Sequence, residues 1–147
     1  MSYVDQHLLP DEKVIFRTKI NWTEYLKSSM IFFAGLFILA FSRGLGFLVI
    51  LISFVSFGMT YLKINTSEFA VTNKRVLIKV GILKILSLET MLNMIEGIYI
   101  EQGIIDKITN GGSIIIKGIG GTRNPFPNIA QPYEFRNAVN TQIAALK

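Results

Sequence analysis

The sequence predicts a transmembrane α-helical hairpin carrying a small α+β domain. That domain is a curled antiparallel sheet, or partly open barrel, closed by a C-terminal helix, and its first strand is placed before the hairpin. Three observations predict this. Residues 26–62 hold two apolar runs parted only by Ser42-Arg43-Gly44, and Arg43 is the one charge between Ser28 and Tyr61. Segments on both sides of these runs alternate apolar and polar residues with the period of a strand. The final residues repeat apolar side chains at helical spacing. The chain divides into an N-terminal segment with one strand (1–25), a two-span membrane hairpin (26–62) and the remaining domain (63–147).

Each apolar run is about 17–18 residues, roughly 26 Å as a helix, the short end of what spans a bilayer. Neither run has the polar stripe of a soluble helix. Gly44 frees the backbone to turn, and Arg43 is costly in hydrocarbon, so the turn belongs at an interface. A buried helix pair and a re-entrant hairpin are the alternatives. Lys13, Arg17, Lys19 and Lys27 precede the first run, and Lys63, Lys74, Arg75, Lys79 and Lys84 follow the second. The positive-inside rule then sets both termini and the domain in the cytoplasm. Trp22, Tyr25 and Tyr61 flank the runs as interface anchors.

Composition narrows the function classes. Half the residues are apolar, with net charge +5, and mean hydropathy is +0.44. The absence of cysteine excludes disulfides, thiolate metal sites and cysteine nucleophiles. One histidine, His7, offers neither a metal site nor a base for serine chemistry. The basic residues are not interleaved with stacking aromatics, so nucleic acid is not the expected partner. No cofactor, metal or catalytic residue is assigned.

The elements follow in order. Met1–Pro10 is irregular. Val14, Phe16 and Thr18 share one face of a strand over Lys13–Ile20, with Ile15 the exception. A lone strand needs a partner, and the remaining β material lies behind the hairpin. Strands are expected at Glu68–Thr72, Arg75–Val80 and Leu83–Leu88. Asn73-Lys74 is a two-residue turn in which asparagine tolerates positive φ. Further strands are expected at Met94–Gln102, Ile104–Ile108 and Ser113–Lys117, with a turn at Asn110-Gly111-Gly112. Pro125 and Pro127 rule out a central strand or a helix there. Pro132 opens an amphipathic helix to Leu146, with Phe135, Val139, Ile143 and Leu146 on one stripe.

The runs TSEFAVTNKRVLIKVGILK and GTRNPFPNIAQPYEFRNAV resemble the opening and closing segments of the bacterial PH domain, and LLPDEKVIFRTKINW is similar to the lead-in of members with a two-span hairpin. The turn Thr72-Asn73-Lys74-Arg75 and the helix start PYEFR carry most of the likeness. The resemblance implies a PH-like fold on the cytoplasmic face of a bacterial membrane, binding rather than catalysis, and a tendency to oligomerise.

Candidate sites stand beside plainer readings. Lys74, Arg75, Lys79 and Lys84 could hold anionic headgroups or a partner, or form an ordinary solvated strand face. Gly118–Thr122 could be a phosphate nest, but it lacks a P-loop ending and fits a hairpin turn better. Glu96 and Glu101 have odd separation and point to opposite faces of a strand, which argues against a catalytic pair. Small residues in the spans serve close helix packing within the hairpin or between subunits. The expected function is a non-enzymatic, membrane-anchored interaction and oligomerisation module. Its expected partners are the bilayer, its own copies and a membrane protein. The alternative is anionic-lipid headgroup binding by the basic hairpin.

Overall fold

The computed structural model describes residues 2–147. Its elements are α1 (Tyr3–Gln6), β1 (Val14–Thr18), α2 (Glu24–Leu39), α3 (Arg43–Thr66), β2 (Glu68–Thr72), β3 (Arg75–Val80), β4 (Leu86–Met91), β5 (Ile95–Glu101), α4 (Ile104–Thr109), β6 (Gly111–Gly118), β7 (Arg123–Ala130) and α5 (Pro132–Ala145). The strands form two antiparallel sheets, β1-β2-β3-β4 and β5-β6-β7. They are not closed into one barrel.

Pairing of β1 with β2 brings together chain from before and after the helix pair, with Thr18 opposite Phe69 and Phe16 opposite Val71. A bulge between Val14 and Phe16 accounts for Ile15, the residue that broke the alternation. Beyond β1 the chain crosses to the other sheet. Ile20 bridges Ile129, and Ala130 N–H donates to the Lys19 carbonyl at 2.9 Å. Among the strands β7 pairs with β6 alone and is the edge of its sheet, which is where Pro125 and Pro127 are tolerated.

The core lies between the sheets and under α5. Phe69, Val71, Val76, Ile78, Ile114, Ile116, Phe126 and Ile129 meet Phe135 and Val139 of the helix. Gln131 takes a left-handed backbone and Pro132 starts α5, as the sequence predicts to within a residue. Leu146, expected on the buried stripe, is 55% exposed beyond the helix end.

Four expectations are corrected. The N-terminal stretch is not wholly irregular over residues 2–10, Met1 lying outside the described residues: α1 sets Val4 over Ala70 and Leu77, forming a second small core. Those two residues are apolar on the outer sheet face and need a cover. The strand expected at Leu83–Leu88 begins at Leu86, because Gly81 at φ +112 starts a wide turn. Ile104–Ile108 is helical. The Asp106 carboxylate accepts the Gly103 N–H at 2.9 Å, and Asn110 ends the turn in the left-handed region, so local capping outweighs the β preference of isoleucine. Asn73 does not adopt positive φ. Its turn is held instead by the Thr72 hydroxyl, which accepts the N–H groups of Lys74 and Arg75 at 3.2 and 3.0 Å.

α2 and α3 run antiparallel in close contact. The Ser28 hydroxyl lies 3.1 Å from that of Ser56 and 3.2 Å from that of Thr60. A Cβ on Gly46 would stand 2.4 Å from Leu39 Cα, so the helix ends approach only because position 46 is glycine. The outer faces are uncovered: Phe33, Phe37, Phe41 and Phe54 are each more than 60% exposed. Among the described residues, one helix, α3, is long and apolar enough to cross a membrane.

Candidate functional site

Two polar centres organise the molecule, one where the helix pair meets the sheets and one at the far turn between β2 and β3.

At the first, Glu24 opens α2 and is nearly buried, its side chain 9% exposed. Its carboxylate accepts Lys63 Nζ of α3 at 3.2 Å, Lys27 Nζ at 3.2 Å and Asn128 Nδ2 of β7 at 2.8 Å. The Thr23 hydroxyl donates to Asn128 Oδ1 at 2.8 Å, and Asn21 N–H donates to the Asn128 carbonyl at 2.8 Å. Asn128 needs a left-handed backbone, φ +56, to present both ends to this knot. One acid thus ties both helices to a sheet. Sequence reasoning passed over Glu24 and Asn128. The available signal was a lone carboxylate at the mouth of an apolar run, which has to find cations.

The expected anchors surround this knot. Tyr25 stacks on Phe57, centroids 6.2 Å apart, while Trp22 and Tyr61 are 57% and 59% exposed. A crevice of about 770 Å³ opens beside it, lined by Leu26, Lys27, Met30 and Lys63 on one side and by Ile104 and Ile105 of α4 on the other.

The second centre is a buried ion pair. Arg75 is 7% exposed. Its Nε donates to Glu12 Oε1 at 3.0 Å, and one Nη donates to Glu89 at 2.6 Å. Glu12 also accepts the Leu9 N–H at 2.7 Å and the Thr72 hydroxyl at 2.7 Å. Burial alone pushes the Glu12 carboxyl up. The hydrogen bonds from Arg75, Leu9 and Thr72, with the Arg75 charge, outweigh it and hold the group below its usual value. The Arg75 pKa is raised, first by its bond to Glu12. No buried side-chain nitrogen or oxygen among the described residues lacks a partner, so this centre is satisfied internally.

The four basic residues of the first hairpin are therefore not one cluster. Arg75 is consumed by Glu12 and Glu89. Lys74 Nζ donates to the Pro10 carbonyl at 2.8 Å. Lys79 Nζ stands 4.9 Å from the Tyr3 ring centroid. Lys84 is exposed in the turn between β3 and β4, at the helix end of the sheet, where the Thr66 hydroxyl donates to the Gly81 carbonyl at 3.3 Å. The length of β3 places Lys74 and Lys84 about 20 Å apart along the strand. Elsewhere, Glu96 is paired with Lys117 at 2.8 Å rather than with Glu101. Gly118–Thr122 is the β6–β7 hairpin turn, closed by Gly118 N–H donating to the Thr122 carbonyl at 3.0 Å.

The family model described as bacterial PH domain matches residues 30–143. No curated protein matches the chain, and no solved structure does. The match covers well over half of the sequence, and the chain belongs to the bacterial PH-domain family.

Proposed function

We propose that this chain is a non-enzymatic, membrane-anchored interaction and oligomerisation module. In this reading α2 and α3 are two spans, and the PH-like domain and both termini lie on the cytoplasmic face of a bacterial plasma membrane. One observation carries it: β1 and β2 pair although the whole helix pair lies between them. Chain before and after the helices must then be on one side of any bilayer, so a single crossing is incompatible with the fold. The length and apolarity of α3 together with the uncovered aromatic flanks of both helices favour two crossings over none. α2 has 16 residues, about 24 Å, a shortfall that local bilayer thinning and the anchors Trp22 and Tyr25 accommodate.

Self-association is supported by the free edge of β4, which ends its sheet and exposes Leu86 and Met91. An unpaired edge is a pairing surface for a second copy or a membrane-protein partner. Native mass spectrometry of the full chain released from nanodiscs tests this. A discrete oligomer is expected, and a monomer under all lipid conditions refutes the oligomerisation reading.

The second reading is anionic-headgroup binding. Of its four residues, Lys84 is favoured by position, being exposed beside the end of α3. A monomer that retains anionic lipid, and loses it on Lys84→Gln, would move the conclusion to this reading.

A further inference from the structure

Helix α4 is six residues long, carries three isoleucines and buries none of its residues. Ile104, Ile105 and Ile108 are 81%, 57% and 80% exposed. By contrast α5 buries Phe135 and Val139 fully and exposes one large apolar side chain, Tyr133 at 42%. A concentrated apolar protrusion on a well-packed domain marks a contact surface.

Its position identifies the occupant. Ile104 and Ile105 face Leu26 and Met30 of α2 across one crevice. Met30 lies six residues into the helix from Glu24, about 9 Å of rise. That is the depth to which interfacial helices bury their apolar face in the headgroup and acyl boundary. Charge agrees with this depth. Lys107 is exposed on α4, and Lys27, its side chain 76% exposed, borders the same crevice. Of the acids that line the crevice, Glu24 is engaged by two lysines and Asp106 by the helix cap. An apolar tip flanked by the unpaired Lys107 and the largely exposed Lys27 suits an anionic leaflet. A second protrusion has the same chemistry beside the end of α3. Leu83, Ile85 and Leu86 are 89%, 58% and 57% exposed around Lys84, in the turn that Thr66 holds.

We propose that α4 and the Gly81–Ile85 turn are two additional membrane contacts, inserting their isoleucine and leucine side chains into the same leaflet that α2 and α3 enter. The occupant is the lipid surface. With the helix pair these contacts make three points, enough to fix the tilt of the domain as well as its distance from the bilayer. The proposal rests on the reading of α2 and α3 as spans.

The chain has no cysteine, so single-cysteine variants label at one place. Ile108→Cys, Leu83→Cys, Lys74→Cys and Val55→Cys are each coupled to a polarity-sensitive fluorophore in the full chain. The labelled proteins are reconstituted in nanodiscs of phosphatidylethanolamine and phosphatidylglycerol. Lipids spin-labelled near the headgroup or near the acyl end serve as shallow and deep quenchers. The Ile108 and Leu83 probes should be blue-shifted and dimmed several-fold more by the shallow quencher than the Lys74 probe. The Val55 probe, on the 68% exposed mid-helix flank, should respond to the deep quencher.

Either loop probe behaving like Lys74 while Val55 is quenched overturns the contact it reports and leaves the spans intact. A blue-shifted loop probe that ignores both lipid quenchers also overturns the proposal, since the cover is then protein, such as a second copy. A Val55 probe untouched by the deep quencher fails the span reading itself, and the proposal falls with it.

Discussion

Replacing Arg75 with methionine separates a structural role from a lipid-binding one. The substitution keeps the apolar stem of the side chain and removes its guanidinium and charge. Glu12 then sits with a fully excluded side chain, 0% exposed, retaining only the Leu9 N–H and the Thr72 hydroxyl as donors. Removing one partner of a buried pair costs about 3–5 kcal/mol. Protonation sets a ceiling, because a buried carboxylate can take up a proton instead of remaining charged. Holding a glutamate neutral near pH 7 against a reference pKa of about 4.3 costs roughly 3.7 kcal/mol. The loss at neutral pH is therefore about 3–4 kcal/mol, or roughly 10 °C in Tm for a chain of this size. Each pH unit is worth about 1.4 kcal/mol, so the defect should shrink by about 2 kcal/mol near pH 5.5. Thermal unfolding in mild detergent, followed by the sole tryptophan, Trp22, reads both quantities. The double variant Glu12→Leu, Arg75→Met should recover much of the loss, since no charge is left stranded. An unchanged Tm with lost binding to anionic vesicles would refute the reasoning and return Arg75 to the headgroup site.

Three further outcomes are expected. Gly46→Val forces the α2–α3 turn apart, because its side chain would collide with Leu39 backbone atoms at 2.4–2.5 Å; a Tm loss of several degrees and faster amide exchange at the facing ends of the two helices check it. Glu24→Gln keeps the shape but releases Lys27 and Lys63, and should speed amide exchange in β7 around Asn128 while the β2–β3 hairpin is unaffected. Acid should destabilise the domain in a defined window. Glu12 and Glu68 are depressed in the fold; for Glu68, burial raises the value but the Ser2, Val4 and Tyr3 donors outweigh it. Depressed carboxyls stabilise fully above the unfolded value of about 4.3, and that contribution is lost as pH falls through the folded values. A pH titration of Tm should thus be level above about pH 5.5 and fall below about 4.5, and Glu68→Gln should flatten part of the fall.

The sequence disclosed the parts whose pattern is local. Strands β2 and β3 and the start of α5 are readable because β-prone residues in EFAVT, alternation in RVLIKV and a proline at the first helical position encode them within a few residues. β4 was displaced because Gly81 opens a turn whose width depends on packing against Thr66. α4 was mistaken for a strand because isoleucine's β preference is a weak prior that a capping aspartate and a left-handed Asn110 outweigh. The candidate site was less legible still. Lys74, Arg75, Lys79 and Lys84 look alike along the chain. Whether each is free depends on residues more than sixty positions away, as with Glu12 and Pro10, or on a ring such as Tyr3. Glu24 shows the converse: its isolation beside an apolar run announced a partner, but nothing local could name Asn128.

The N-terminal segment shows why the helix pair and the domain act as one body. It supplies Val4 to the second core, Ile20 to the main core and Glu12 to Arg75, all before α2 begins. The sheet is completed only when α3 has returned the chain beside β1. Residues after the helices lack these three contributions, and Arg75 without Glu12 would keep only the half-exposed Glu89 as an anionic partner. On the proposed reading of α2 and α3 as spans, insertion of the hairpin is a step in folding the domain, not an anchor attached to a finished one. The Glu24 knot then makes the joint stiff, since α2, α3 and β7 share one carboxylate. A domain so joined cannot swing on a tether to search for ligands. Its exposed elements face wherever the helices aim them, which, with α2 and α3 as the proposed spans, favours contacts fixed by the membrane plane, with lipid or neighbouring copies, over capture of soluble partners.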